Sequence, residues 1–284
     1  MPLRVGYALG GALGLLSYVL ARRERLRTIQ HLTSFYEGER SRRQIKRLAR
    51  GVFRHFGHCL AELLALRTPG RLFDHLSVSI EGFEYVKEAF ERGRGLLFVT
   101  GHFGNWELMA AYFAYQGYPI HVVARELRQP RLHSLVDRYR SGVGLRVHYT
   151  NGDGVIPMMR ALHRGEVLAM LIDIRTEGDG RWVEFLGRPA YTLIGPAALA
   201  ASTGAAVVFG YSVRIRPWEY RFVFQPAVGI EPPGTRSGPE REGYVMALLQ
   251  SLNARLSTVV EQFPEQWMWM HRRHEPVRRS RRKR

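Results

Sequence analysis

The sequence predicts an α/β fold in which a mixed, largely parallel central sheet is flanked by helices, with an N-terminal transmembrane or membrane-anchoring helix. Three observations predict it. From Leu76 onward, short runs of branched and large apolar residues alternate with longer amphipathic stretches, the pattern of parallel strands joined by crossover helices. A length of 284 residues with 45% hydrophobic and 11% aromatic content supplies one sizeable core. Ahead of this core, the uncharged stretch Val5–Ala21 runs directly into a basic cluster.

Val5–Ala21 (VGYALGGALGLLSYVLA) reaches roughly 25 Å as a helix, slightly short of the ~30 Å hydrocarbon core of a bilayer. It spans with help from its flanks, or else packs as a buried amphipathic helix. The arginines follow the apolar run instead of preceding it, which argues for an uncleaved anchor over a signal peptide. By the positive-inside rule Arg22 and everything after it face the cytoplasm. Gly6, Gly10 and Gly14 recur every fourth residue, a spacing that lets helices approach closely in a membrane. The net charge of +17 is concentrated at the ends: residues 22–50 hold ten Lys/Arg against three Glu, and residues 271–284 hold eight against Glu275. The body is nearly neutral, so the charge points to an anionic membrane surface as partner, and no nucleic acid is expected. Two competing readings are a nucleic-acid-binding protein that uses the basic tail Arg278–Arg284, which is expected to be disordered, and a membrane scaffold that keeps the fold with a degenerate site.

Ser41 is a candidate N-cap for a long amphipathic helix through Ile45, Ala49, Val52, Phe56, Leu60 and Leu64. Cys59, the only cysteine, falls on its apolar face and reads as a structural thiol in a reducing compartment. The expected series then runs Val78–Ile80 (strand), Phe83–Glu91 (helix), Leu96–Thr100 (strand), Trp106–Tyr115 (helix), Ile120–Ala124 (strand), Leu132–Ser141 (helix), Arg146–His148 (strand), Val155–His163 (helix) and Val167–Ile172 (strand). It continues with a strand Trp182–Phe185, a small-residue helix Pro196–Thr203, strands Ala206–Arg214 and Arg221–Gln225, a loop Glu231–Pro239 and a helix from Arg241 to Phe263. The expected organisation is an anchor and basic flank at 1–27, a catalytic domain at 28–270 and a basic tail at 271–284.

In GLLFVTGHFGNWELMAAYFAY a buried strand meets a tight turn with Gly101 and Gly104, then a helix that starts near Asn105. Ligands bind outside the carboxyl ends of strands in such sheets, which is where this strand delivers His102. Glu107 falls in the first turn of the helix, within reach of the imidazole as a carboxylate that fixes its tautomer and raises its basicity. Exposed amides of the helix start are candidates for holding an oxyanion. GxSxG, HExxH and Walker-type motifs are absent from the sequence, and no metal is expected.

HFGNWE resembles the HX4E motif of the bacterial lipid A late acyltransferases, a family that includes related glycolipid acyltransferases. Four further segments resemble that family in order: VVARELRQPRLHSLVDRYRSGVG with Arg125, LHRGEVLAMLIDIR with Asp173, EFLGRPAYTLIGPAALAASTGAAVV with Arg188 and Thr192, and PEQWMWMHRRHE. The resemblance implies a glycerolipid acyltransferase-like fold and transfer of a fatty acyl chain from an acyl carrier protein or coenzyme A thioester to a glycolipid hydroxyl. A lipid A precursor is the leading acceptor, with another glycolipid or a lysophospholipid as the alternative. It also implies the bacterial inner membrane, a cytoplasmic active site and no cofactor beyond the thioester. The chain departs from the family where Ile174 replaces the Gln that commonly follows the acid, and where Glu126 replaces the frequent Pro after Arg125.

His102, Glu107 and Asp173 are thus the candidate catalytic residues, and Glu107 and Asp173 both stand as the partner of His102. Asn105, Arg125, Arg188 and Thr192 are the candidate substrate-binding residues. For Arg125, binding a phosphate or a pantetheine arm competes with an ion pair to Glu126 or Asp137. For Arg188 and Thr192, lining the acyl or headgroup site competes with anchoring a loop. Trp267 and Trp269 either rim a lipid channel or pack in the core.

Overall fold

A computed structural model describes residues 2–127, 129–150, 152, 154–174, 178–226 and 237–274. The expected disorder of Arg278–Arg284, and most of the loop Glu231–Pro239, lie outside the described residues. Three helices come first: α1 (Leu3–Leu20), α2 (Arg22–Tyr36) and α3 (Arg42–Ala65). Ser41 caps α3 through a reciprocal capping box with Gln44. A short helix α4 (Pro69–Phe73) leads to the alternating series β1 (Ser77–Glu81), α5 (Phe83–Glu91), β2 (Leu96–Thr100), α6 (Trp106–Tyr115), β3 (Ile120–Ala124), α7 (Pro130–Gly142), β4 (Arg146–Tyr149), α8 (Ile156–His163) and β5 (Val167–Leu171). A hairpin of β6 (Gly180–Phe185) and β7 (Arg188–Leu193) follows. Then come α9 (Gly195–Thr203), β8 (Ala206–Arg216), β9 (Glu219–Gln225), α10 (Pro239–Gln262) and a 3-10 turn at Pro264–Gln266.

Seven of the described strands form one sheet in the order β1-β9-β8-β2-β5-β3-β4. Its neighbours are parallel except β8 and β9, which are joined by a tight turn and run antiparallel. This is the mixed, largely parallel sheet flanked by helices that the alternating pattern predicts. Along β2 the side chains alternate between two cores: Leu97 and Val99 pack under α3, α8, α9 and α10, while Leu96 and Phe98 pack under α5 and α6. A strand covered on both faces needs an unbroken apolar run, and LLFVT supplies it.

Three elements escape the sequence pattern. Arg22–Arg27 is the first part of a 15-residue helix, α2, whose buried positions Thr28, Leu32 and Tyr36 are too few to announce a periodic stripe. The Pro-containing α4 is too short to carry a period. Residues 188–193, read as a loop, form β7 and pair with β6 across a turn in which Leu186 and Gly187 take positive φ. The hairpin docks on α10, where Gln250 Oε1 accepts from Glu184 N at 2.9 Å and Ser257 Oγ accepts from Leu186 N at 2.9 Å. A tertiary partner, not local propensity, makes this segment a strand.

Candidate active site

β2 and β5 are adjacent, parallel and in register, with Thr100 opposite Leu171. Two residues past each strand end, the same register brings His102 beside Asp173. The approach is close: Nδ1 of His102 donates to Asp173 Oδ1 at 2.7 Å, and the backbone N–H of His102 donates to Oδ2 at 2.7 Å. A third donor comes from the end of the chain. Gln266 O accepts from Gly104 N, and Met268 N donates to His102 O, forming an antiparallel bridge between Phe103 and Trp267. That bridge sets the Trp267 indole N–H on Asp173 Oδ2 at 2.8 Å.

Asp173 is completely buried. Burial alone would raise its pKa, but the charge and hydrogen bond of His102 and the hydrogen bond from Trp267 outweigh it and hold the carboxyl well below the usual range. With Nδ1–H committed to this carboxylate, Nε2 of His102 is the ring nitrogen left for another partner. The imidazole is 14% exposed. Trp106 and His271 pack against it with ring centroids at 4.8 and 5.2 Å. Among the described residues, Nε2 of His271 is buried without a hydrogen-bond partner, and burial pushes that imidazole down to about 4.

The turn that presents His102 admits little but glycine. Gly104 has φ +60°, and a Cβ there would sit 1.6 Å from the Ser212 carbonyl oxygen. A Cβ on Gly101 would press on Leu256 at 2.7 Å and on Asp173 Oδ2 at 3.0 Å. Asn105 caps α6 by accepting from Leu108 N at 3.0 Å, and its own N–H donates to Ser212 Oγ at 2.8 Å. The amides of His102, Gly104, Asn105 and Leu108 are therefore spent on holding the turn and not on an oxyanion.

The remaining candidates separate. Glu107 points away to α7, where Arg140 grips its carboxylate with Nη2 at 2.5 Å and Nε at 3.1 Å. Asn105 Nδ2 donates to Glu62 Oε2 at 2.7 Å, and Glu62 also receives Arg214 and Tyr220 in a buried network under α6. His55 completes that network: Arg214 Nη1 donates to its Nδ1 at 2.6 Å, and its Nε2 donates to Gly104 O at 3.0 Å. Cys59 lies in the same network, and burial pushes its thiol up to about 11, so the thiolate a nucleophile needs is suppressed. Arg125 is exposed immediately beyond β3, on the sheet edge that carries His102, while Asp137 accepts the hydroxyl of Tyr149. Arg188 donates to Ser34 O at 2.9 Å and Glu37 Oε1 at 3.3 Å, tying the hairpin to α2. Thr192 is buried and accepts from Arg273 Nη2 at 2.6 Å, which also donates to Asn253 Oδ1 at 2.5 Å. Trp267 and Trp269 are buried in the core.

Sequence reasoning missed the support that Trp267 gives Asp173 and the contact of His271 with His102. The WMWMH run was the available signal, but its place beside residue 102 depends on a contact spanning most of the chain. Between α5, α6 and the sheet lies a cavity of about 50 Å³ walled by Phe83, Phe90, Phe98, Met109, Phe113, Phe224 and further apolar side chains, suited to hydrocarbon and not to charge.

The chain is similar to known proteins over most of its length. Three relatives are phosphatidylinositol mannoside acyltransferases. Two are from Mycobacterium tuberculosis strains, both 24% identical over 75% and 69% of this chain; one is from Mycolicibacterium smegmatis, 26% identical over 70%. The matches span 65%, 60% and 62% of the relatives' own lengths, less than two thirds. The family model described as bacterial lipid A biosynthesis acyltransferase matches residues 1–275. With a match over nearly the whole chain, this protein belongs to the bacterial lipid A biosynthesis acyltransferase family.

Proposed function

We propose that this chain is an O-acyltransferase moving a fatty acyl group from a thioester to a hydroxyl of a membrane glycolipid, at the cytoplasmic face of a bacterial inner membrane. The observation that carries the reading is the orientation of His102: Nδ1–H is held by a buried, triply hydrogen-bonded Asp173, which leaves Nε2 as the base. The acceptor hydroxyl gives its proton to Nε2 as its oxygen bonds to the thioester carbonyl carbon. The tetrahedral adduct then collapses, the C–S bond breaks, and the proton on Nε2 passes to the departing thiolate, so that an ester and a free thiol leave and His102 is neutral again. Asp173 stabilises the imidazolium in the interval.

The donor is acyl carrier protein or coenzyme A, and the step draws on no cofactor beyond that thioester. In this reading Arg125 meets the donor's phosphates on the sheet edge. Asn105, Arg188 and Thr192, whose side chains have protein partners, hold the walls of the site. The family description favours a lipid A precursor as acceptor, and the relatives' names favour a mannosylated phosphoinositide. A sugar hydroxyl on a membrane-embedded glycolipid is common to both. Mass spectrometry of membrane lipids with and without the protein tests this: one glycolipid should gain a single acyl mass when the protein is present. Identical lipid profiles would reject the function, and acylation of a lysophospholipid alone would reject the acceptor class.

A further inference from the structure

The first helix has two faces of different composition. Its inner face, Tyr7, Gly10, Gly11, Gly14 and Tyr18, lies along α3. A Cβ on Gly10 would meet Gly57 O at 2.5 Å, one on Gly14 would meet Phe53 O at 2.3 Å, and one on Gly57 would meet Gly10 O at 2.2 Å. The Gly10/Gly14 spacing thus brings α1 onto the protein's own helix. Tyr7 stacks on His58 at 3.9 Å and lies 4.9 Å from Trp218 in the β8–β9 turn, which holds α1 against the catalytic domain. Its outer face is exposed and apolar: Val5, Leu9, Leu13, Leu16 and Leu20 are each about half accessible or more. At about 100° per residue these five fall within one 80° sector away from the glycines, and the exposed Leu15 and Val19 widen the apolar face to about 160°.

This docking conflicts with a span. The helix is long and apolar enough to cross a membrane, but the neighbouring surface of α3 exposes Arg47, Arg50 and Arg54. The Arg54 Cα lies 3.0 Å from where a Gly14 Cβ would stand, near the middle of α1, and Arg50 reaches over the Tyr18 ring. A bilayer surrounding α1 would have to take in these guanidinium groups and the β8–β9 turn. Laid flat, the same surface sets a leucine face toward acyl chains and an arginine flank, continued by exposed Arg22 and Arg23, toward anionic headgroups.

We propose that α1 lies in the plane of one leaflet of an anionic membrane, with Val5, Leu9, Leu13, Leu16 and Leu20 facing lipid and Arg47, Arg50 and Arg54 at headgroup level, and does not cross the bilayer. The inference rests on the membrane reading above, but its test uses neither acyl donor nor acceptor. An inactive protein that passes leaves it standing, and its failure leaves acyl transfer untouched. In sealed membranes bearing the full chain, Arg4→Cys and Arg22→Cys variants are labelled with a membrane-impermeant maleimide from each side in turn. Labelling of both positions from the same side is expected; labelling from opposite sides overturns the proposal. Purified protein carrying an environment-sensitive fluorophore at Leu13→Cys is then mixed with phosphatidylcholine vesicles with or without phosphatidylglycerol. A blue shift that depends on phosphatidylglycerol, and at least tenfold weaker partition when Arg47, Arg50 and Arg54 are changed to Glu with the circular dichroism unchanged, is expected. Equal binding by the charge-reversed protein, or burial of the probe by self-association without vesicles, overturns it.

Discussion

Asp173 and Glu107 differ in what surrounds them, and that difference assigns them different work. Asp173 is buried and takes three N–H donors, two from His102 and one from Trp267; Glu107 is clamped by Arg140 on the far side of α6. Asp173→Asn puts an amide where Nδ1–H must be accepted and favours the wrong tautomer, so kcat should fall about 10³–10⁴-fold, the scale of losing the carboxylate in a Ser-His-Asp triad. Glu107→Gln should leave kcat within about tenfold of the parent while costing about 1–3 kcal/mol of stability as Arg140 loses its partner, read from the urea midpoint. Equal losses of kcat in the two variants would contradict the assignment. His102 was legible from sequence because strand, glycine turn and helix cap are contiguous. Its partner was not, because the choice depends on the register of two strands whose hydrogen-bonded residues are 71 positions apart. Arg188 and Thr192 suited a binding loop by composition, yet their partners lie on α2 and at Arg273, beyond the reach of local pattern.

At the scale of elements, the β2–α6 turn carries the tightest constraint. Gly104→Ala places a methyl on the Ser212 carbonyl in a backbone conformation that disfavours it. Gly93, at φ +68° with nothing within 4 Å of a built Cβ, makes the control. Gly93→Ala should cost about 1 kcal/mol from backbone strain alone, whereas Gly104→Ala should cost distinctly more and also depress activity by shifting His102. Thermal melts of the two variants compare them directly; equal midpoints would show that the turn is more plastic than its packing implies. The alternating series from β1 to β5 was readable because its central strands β2, β3 and β5 are short apolar runs separated by longer helical stretches. β7 was not, since its pairing is stabilised by the hairpin's contact with α10, and α2 was not, since most of its surface is polar.

For the whole molecule, half-buried histidines couple stability to pH. Burial pushes His58, His271 and His274 down to about 4, so between pH 6.5 and about 4 the unfolded chain binds protons that the folded chain does not. Their neutral forms are fully compatible with the fold above the unfolded value, and stability should decline as pH falls through that window. Urea titrations across it check the sign, and a flat profile would contradict the burial of these rings. The basic ends suit an anionic membrane surface, whereas the preference for an in-plane helix over a spanning one rests on the packing of α1 on α3. The central claim is that His102, oriented by Asp173, is the base of a hydroxyl acyl transfer. Its most direct test is the initial rate at which purified protein moves a labelled acyl group from an acyl carrier protein or coenzyme A thioester to a glycolipid hydroxyl, measured for the parent and for His102→Ala. Ester formation by the parent and a loss of about 10²–10⁴-fold in the variant, the contribution of a positioned base, are expected. Undiminished transfer by His102→Ala would contradict it.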